Sequence, residues 1–390
     1  MGKKVAVLFS VLFLVSVIGV SASALTPVEQ LGKSIFFDEN LSVNFNQSCA
    51  TCHGPEVGWT GPIAAINAAG SVYEGSIPGA FGDRKPPSAA YATQSPILYV
   101  DKKGLFTGGN FWDGRATGEI LGSPAAEQAK GPFLNPVEQA LPSASELVTR
   151  VCTSSYGDLF RQVWGTDACE IVTTAYNYIG LSIAVYEASP EVNAFTSKYD
   201  WSLKYMATLT KQERKGFALF QGKGKCAKCH ISSGPQPLFT DYTFDNLGVP
   251  KNPENPVYDN NSTFIDKGLG GFLASRNDYA GYAVANDGKQ KVPTLRNVDL
   301  RPSSDFVKAY GHNGYFKSLA GIVNFYNTRD VKPTCSGDYT EAQALDAGCW
   351  PAPEVLQNMN TAELGNLGLT PAEEAAIVAF LKTLSDGYTP

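Results

Sequence analysis

The chain has 390 residues, of which 43% are hydrophobic and 17% are charged, a composition typical of a globular protein with room for two domains. Its formal net charge of −6 argues against nucleic acid as a partner, because binding to a phosphate backbone requires a basic surface. Beyond the N-terminal segment, no stretch of the sequence is long and apolar enough to span a bilayer.

Residues 1–24 are predicted to be a secretory signal peptide. Lys3 and Lys4 precede an apolar run from Val5 to about Val20, and the small residues Ala22-Ser23-Ala24 follow where a signal peptidase would cleave. The alternative is a membrane anchor, but the apolar run is short and leads directly into the small-residue site. We therefore expect a periplasmic or secreted protein that becomes more acidic when the two lysines are removed.

Capping boxes open two similar helical stretches. Thr26-Pro27-Val28-Glu29 is followed by Gly32, and Thr210-Lys211-Gln212-Glu213 is followed by Gly216. In a capping box, the Thr and Glu side chains satisfy free backbone N–H groups at the helix start. Each stretch leads into a Cys-x-x-Cys-His motif, so the chain repeats itself loosely.

These two motifs, Cys49-Ala50-Thr51-Cys52-His53 and Cys226-Ala227-Lys228-Cys229-His230, predict the covalent attachment of two c-type haems. Both thiols add to the porphyrin and the adjacent imidazole ligates the iron. A zinc site or a thioredoxin-like redox pair also uses paired cysteines. Neither requires a histidine directly after the second cysteine, yet two of the chain's three histidines stand there. The haem ligands are therefore His53 and His230, and the attachment residues are Cys49, Cys52, Cys226 and Cys229.

The other four of the eight cysteines are interpreted as two local disulfides, Cys152–Cys169 and Cys335–Cys349. An exported protein meets an oxidising compartment in which such bridges persist. Four unpaired buried thiols are the alternative, because connectivity cannot be deduced from sequence alone.

Two further helices are predicted to close the two units. One runs from about Val172 to Ala188, and the other begins at the capping box Thr370-Pro371-Ala372-Glu373 and runs to about Leu384, with apolar residues at helical spacing. Pro, Gly, Asn and Asp dominate residues 54–87 and 234–288, which are predicted loops. The expected fold is mostly α.

The predicted architecture is two cytochrome c-like haem domains with long loops. The N-terminal domain comprises residues 25–205 and the C-terminal domain comprises residues 206–390. A bound haem supplies much of the apolar core that a small helical domain otherwise lacks, so long loops around it are compatible with a stable fold.

Few side chains remain to fill the two distal haem positions. The candidates are His312, Met206, Met359 and the tyrosines. An electron-transfer cytochrome normally holds both irons six-coordinate, but between the signal peptide and Met206 the chain has no methionine and only His53 as histidine. The first haem is therefore predicted to have an open side for peroxide. The alternative is that Met206, Met359 or His312 crosses from the other half.

The chain resembles the bacterial dihaem cytochrome c peroxidase and MauG superfamily over nearly its whole mature length. The resemblance rests on the two haem motifs in this order and on further segments that are specific as a set. They are Phe111-Trp112-Asp113-Gly114-Arg115, Gln128-Ala129-Lys130-Gly131-Pro132, Asn135-Pro136-Val137-Glu138, Lys291-Val292-Pro293-Thr294-Leu295-Arg296-Asn297-Val298 and Tyr310-Gly311-His312-Asn313-Gly314.

The resemblance implies that the N-terminal haem reacts with peroxide and the C-terminal haem relays electrons. Gln128 and Glu138 match the family's distal glutamine and glutamate, and Pro132 matches a distal-wall proline. Glu138 would shuttle a proton as general base and then acid; the alternative is a surface carboxylate in a turn. Trp112 matches a tryptophan between the haems, a relay for electron holes, or else is a core residue. Residues 118–124 look like an insertion.

Three features depart from the common family pattern. The loop after the first motif lacks the histidine that many of these peroxidases use as a removable ligand, so the first haem needs no reductive activation. Tyr326 stands where ordinary peroxidases have an axial methionine, as in MauG; the alternative is that His312 ligates the second iron. An asparagine calcium ligand is replaced by Lys85, and a cationic side chain is a poor calcium ligand, which argues against the calcium ion found in relatives.

Three functions compete on this basis. The first is reduction of hydrogen peroxide with electrons from a small periplasmic donor protein, which the family as a whole favours. The second is a MauG-like oxidation of residues, such as tryptophan, on a partner protein, which Tyr326 favours, although Gly224 stands where MauG has its electron-transfer tryptophan. The third, a non-catalytic electron carrier, is disfavoured by Gln128, Glu138 and the shortage of ligands. Homodimers are common among such proteins.

Overall fold

Helices carry most of the regular backbone in the computed structural model, which describes residues 24–390; apart from Ala24, the predicted signal peptide lies outside these residues. The α-helices are α1 (Pro27–Phe36), α2 (Cys49–Cys52), α3 (Ala64–Ala68), α4 (Pro124–Leu134), α5 (Ala144–Thr153), α6 (Gly157–Trp164), α7 (Val172–Ala188), α8 (Lys198–Leu203), α9 (Lys211–Gln221), α10 (Val257–Asn260), α11 (Gly268–Ala274), α12 (Leu319–Thr328), α13 (Glu341–Ala347) and α14 (Pro371–Lys382). The mostly α fold class is confirmed.

Strands are short and form two antiparallel pairs. Tyr99–Val100 (β1) pairs with Phe106–Thr107 (β2), and Phe244–Asp245 (β3) pairs with Gln290–Lys291 (β4). A single bridge between Thr107 and Thr243 connects the two pairs. The strands therefore fasten the long loops together, and the helices supply the core.

The three predicted capping boxes are present at Thr26, Thr210 and Thr370. In each, the threonine side chain accepts a hydrogen bond from the backbone three residues on, and the glutamate there accepts one from the threonine N–H. Local sequence alone therefore sets where α1, α9 and α14 begin.

Two helix pairs repeat the same crossing. Helix α1 packs against α7, and α9 packs against α14. A Cβ atom at Gly32 would lie 2.0 Å from the backbone oxygen of Ser182, and one at Gly216 would lie 1.8 Å from that of Ala376. Because no side chain fits at either crossing, these glycines let the helices touch through their backbones. The loose sequence repeat thus corresponds to one packing motif used twice.

The apolar core is divided between two clusters. We call the first unit the part of the chain around the cluster that runs from Leu31 to Val192, and the second unit the part around the cluster that runs from Tyr199 to Leu384. Tyr199 precedes the domain boundary predicted after residue 205 yet packs in the second cluster. That boundary stays a prediction.

Both predicted disulfides are present, with Cα–Cα distances of 6.2 Å for Cys152–Cys169 and 5.2 Å for Cys335–Cys349. The first ties α5 to the segment before α7, and the second ties the two sides of α13 together. Each bridge closes a short local loop, as the spacing indicated.

The segment 118–124 is held by one carboxylate. Glu127 accepts hydrogen bonds from the backbone N–H groups of Gly118, Ile120 and Leu121, at 2.7 to 2.9 Å. Because Glu127 belongs to α4, these bonds fix the loop to the helix that carries Gln128.

Between residues 24 and 390, none of the helices combines the length and apolar character needed to cross a membrane.

Candidate functional site

The first Cys-x-x-Cys-His motif lies on α2 and the residue that follows it. The Nδ1 atom of His53 lies 3.2 Å from the backbone oxygen of Trp59, which leaves Nε2 as the nitrogen available to a metal. Burial lowers the pKa of His53 to about 4, so its neutral, metal-binding form prevails. Cys49 and Cys52 form no disulfide, and burial raises the pKa of Cys52 to about 12.

The second motif repeats this arrangement. The Nδ1 atom of His230 lies 2.8 Å from the backbone oxygen of Phe239, and burial again lowers the histidine pKa. Cys226 and Cys229 are also free thiols. Both sites therefore combine two unpaired cysteines with a histidine whose Nε2 is presented by a hydrogen bond to a carbonyl, which fits covalent haem attachment with an axial imidazole.

A cavity that is partly open to solvent lies at the second motif, with about 1810 Å³ of space when the open solvent is included. Its wall includes His230, Cys226 and Cys229, together with Trp112 and His312. Most of the exposed wall is apolar, as a flat, largely apolar prosthetic group requires. The residues present thus fit a haem at this position.

Tyr326 on α12 lines this cavity close to the second motif. Burial raises the pKa of its hydroxyl, and Cys226 and Cys229 are near enough to add to the effect. A phenolate here therefore requires a positive charge beside it, which a ferric iron would provide.

His312 also lines this cavity and lies beside Trp112. Its ring centroid is 6.5 Å from that of Trp112, and its Nε2 atom is 3.8 Å from Asp266 Oδ2 and makes no hydrogen bond. The structure thus brings Tyr326 to the second motif and His312 to Trp112. This placement supports Tyr326 as the axial residue.

Two of the three predicted distal residues lie on α4, and the third follows it in the chain. Gln128 and Pro132 lie one turn apart on α4, and the backbone N–H of Gln139 donates to the oxygen of Pro132 at 3.1 Å. This bond folds the chain back after α4, in the turn that contains Glu138.

The carboxylate of Glu138 lies near the first motif, since its charge acts on both Cys49 and Cys52. Its Oε2 atom accepts a hydrogen bond from Asn135 Nδ2 at 2.8 Å. Burial raises its pKa, although the bond from Asn135 and the charge of Arg115 oppose this. A carboxyl with a raised pKa in a partly enclosed site has the properties of a proton shuttle.

Trp112 is 8% exposed and lies between the two units. Its Nε1 atom donates to the backbone oxygen of Lys85 at 2.8 Å, and its own oxygen accepts from Lys291 N at 2.7 Å. The indole is therefore fixed in orientation between Lys85 of the first unit and the cavity at the second motif. A residue that relays electrons between two haems would need a fixed position of this kind.

The alternative distal ligands lie elsewhere. Met206 is 56% exposed on the surface. Met359 packs in the second unit against Gly248, where an added Cβ would meet its sulfur at 2.4 Å. Neither is placed at the first motif.

Several buried charges were not identified from the sequence. Arg84 joins Asp113 to Asp266, Lys308 is buried between the units, and Glu187 is buried near Cys49, where burial raises its pKa to about 8. The signal for Glu187 was a lone acid in the apolar helix α7. Arg84 and Lys308 gave no signal, because their partners are distant in sequence.

Residues 27–208 match the family model described as di-haem cytochrome c peroxidase. The methylamine utilization protein MauG of Paracoccus denitrificans (strain Pd 1222) is 32% identical over 365 residues, which cover 91% of this chain and 88% of that protein. The cytochrome c551 peroxidase of Nitrosomonas europaea is 30% identical over 309 residues, which cover 77% and 74%. The crystal structure of the diheme peroxidase BthA from Burkholderia thailandensis E264 superposes with a TM-score of 0.76 at 28% identity, covering 94% and 90%.

Proposed function

The chain belongs to the di-haem cytochrome c peroxidase and MauG family of oxidoreductases, which carry two c-type haems, and from this premise we propose that it reduces hydrogen peroxide at the first motif with electrons relayed through the second. The observation that carries the proposal is the partly buried carboxylate of Glu138, which lies near Cys49 and Cys52 and is hydrogen-bonded by Asn135. An electron carrier has no need of an acid–base group at that place.

The haems, when bound, supply a metal centre for peroxide and a path for single electrons. In this proposal Cys49, Cys52 and His53 hold the first haem. The second is held by Cys226, Cys229, His230 and Tyr326.

Glu138 moves the proton in the proposed reaction. It accepts a proton from one oxygen of hydrogen peroxide and returns it to the other oxygen, which then leaves as water when the O–O bond breaks. The amide of Gln128 orients the peroxide, and Pro132 borders the same space. Overall, hydrogen peroxide, two protons and two electrons give two water molecules.

Trp112 is proposed to pass electrons between the two sites. Its contacts with Lys85 in the first unit and with the ring of His312 in the second fix it at the junction. The electrons come from a small periplasmic protein, such as a c-type cytochrome or a blue copper protein. The predicted signal peptide would export the protein to the periplasm or out of the cell, and a homodimer is its proposed state.

The steady-state test uses the holoprotein, hydrogen peroxide and a reduced small cytochrome c or blue copper protein. We expect peroxide-dependent oxidation of two donor molecules for each peroxide consumed. Negligible donor oxidation, together with peroxide-dependent oxidation of residues in a partner protein, would overturn the proposal in favour of the MauG-like reaction. That second candidate rests on Tyr326 and on the absence of a gating histidine after the first motif.

Replacing Tyr326 by Phe is expected to change the visible and electron paramagnetic resonance spectra of the second haem alone, because the phenol oxygen is the proposed axial ligand. His312→Ala is the matched variant, since His312 lines the same cavity, and it should leave the axial signature unchanged. The opposite pattern, with an altered spectrum only in His312→Ala, would assign His312 as the ligand.

A further inference from the structure

A calcium ion between the units does not fit the residues of this chain. Calcium takes six to eight oxygen ligands, with carboxylates common among them. Lys85 stands in place of the expected asparagine, and its Nζ atom donates to Thr60 Oγ1 and to the backbone oxygen of Pro86, both at 2.9 Å. These two oxygens, which could otherwise ligate a cation, already accept hydrogen bonds from the ammonium group of Lys85.

Lys308 occupies a second group of oxygens at the same junction. Its side chain is buried, and the residue is 4% exposed. Its Nζ atom donates to three backbone oxygens, those of Val57 at 2.7 Å, Asn297 at 2.8 Å and Leu300 at 2.9 Å. Val57 belongs to the first unit, whereas the other two belong to the second. One ammonium group therefore joins the units through uncharged oxygens.

The three acceptors match the donors of a protonated lysine, which carries three N–H groups and no acceptor. Burial and the positive charge of Lys85 lower the pKa of Lys308. The carbonyl oxygens act in the opposite direction, because each bond to them needs a proton on the nitrogen. The arrangement is complete only when Lys308 is charged.

The backbone next to Val57 packs tightly against Asn297 and Lys308. Gly58, directly after Val57, has a φ of +77°, and an added Cβ there would lie 2.7 Å from the Cβ of Asn297 and 3.5 Å from the Nζ atom of Lys308. The first unit thus lies close against the second beside the ammonium group. A neighbouring lysine, Lys317, uses the same type of contact, with bonds to Ser71 Oγ at 2.8 Å and to the oxygen of Gly314 at 2.7 Å.

We propose that the ammonium groups of Lys85 and Lys308 take over the structural role of the calcium ion at the junction between the two units. The two ammonium groups fill oxygen sites of the kind calcium binds and, while protonated, repel a divalent cation. The protein therefore holds its two haem units together without a divalent metal. This concerns stability and metal content, and it stands apart from the proposed reaction.

The first test is the metal content and calcium response of the wild-type holoprotein. We expect no stoichiometric calcium by elemental analysis, and no change of the thermal midpoint or of peroxide turnover in excess EGTA or in millimolar calcium chloride. Stoichiometric calcium, or a midpoint that falls in EGTA and recovers with calcium, would overturn the proposal. This measurement decides the matter even if the variants fail to accumulate.

The second test is Lys308→Met, which keeps an unbranched side chain of nearly the same length but removes the three N–H donors. We expect its thermal midpoint to fall by roughly 5 °C or more, because three buried carbonyl groups lose their partners. Lys102→Met is the control, since Lys102 is an exposed lysine of the first unit, and its midpoint should match the wild type. Equal midpoints for the two variants would contradict the structural role of Lys308.

Discussion

Glu138→Gln is expected to lower peroxide turnover by roughly 10²- to 10⁴-fold, the usual contribution of a general acid–base group. The amide has the size of the carboxyl group but cannot accept and return a proton. Steady-state peroxide reduction by the holoprotein, with a saturating reduced donor, measures the effect on kcat. Both haems should remain attached, because Glu138 makes no covalent bond.

The matched control is Glu56→Gln, the same change at an exposed glutamate three residues after His53. Its turnover should stay at the wild-type level. A Glu138→Gln variant that turned over peroxide as fast as this control would show that Glu138 is only a turn residue, the alternative considered from the sequence.

The pH profile provides a second measurement of Glu138. A general base acts in its deprotonated form, so turnover is present above the pKa and falls as the pH drops through it. Since burial raises the pKa of Glu138, the acid limb should lie above that of an ordinary glutamate, near 4.3. Asn135→Ala removes a hydrogen bond that lowers this pKa, so the limb should move to higher pH, whereas a purely structural Asn135 would leave it in place.

Arg296→Met is expected to destabilise the protein by about 3–5 kcal/mol, the usual cost of breaking a buried ion pair from one side. Arg296 is 2% exposed and donates to both oxygens of Asp200 at 2.9 and 2.7 Å. Its guanidinium carbon also lies 5.0 Å from the ring centroid of Tyr91 and 4.4 Å from that of Phe195. In the variant, the charge of Asp200 stays buried but has lost the guanidinium group that neutralises it. Denaturant unfolding of the holoprotein measures the loss.

The control is Arg276→Met, which removes ion pairs to Glu119 and Asp278 on the surface. Water and salt screen such pairs, so the unfolding midpoint should change far less. Adding Asp200→Asn to Arg296→Met should recover part of the loss, since no charge is then stranded. A single variant as stable as the control would contradict the role assigned to this pair.

The cost of Arg296→Met should also depend on pH. Burial raises the pKa of Asp200, but the bonds and charge of Arg296 outweigh burial and hold it below the usual value. A lowered carboxyl pKa gives stability that is present above the unfolded value of about 3.9 and is lost as the pH falls through the folded value. The difference between wild type and variant should therefore be largest near neutral pH and shrink below about pH 4.

The capping boxes and haem motifs could be predicted because their chemistry is local. A threonine and a glutamate three residues apart meet within one helical turn, and two cysteines with an adjacent histidine reach one porphyrin through a few bonds. The same locality explains why both disulfides were foreseen, since each closes a short loop. The helix Val172–Ala188 was predicted with the bounds that the structure shows, although the burial of its Glu187 was not predicted.

The sequence by itself thus determined the mostly α fold and the family, and it identified the two Cys-x-x-Cys-His motifs as the proposed sites of haem attachment. Only the tertiary structure decided how Trp112 lies between His312 and Lys85, how Glu138 returns beside the first motif, and that Lys308 is enclosed by Val57, Asn297 and Leu300. These contacts join residues far apart in the chain, and their geometry depends on how the two units pack. No local pattern encodes which carbonyl oxygens will surround a lysine, because that is set only when the long-range contacts form.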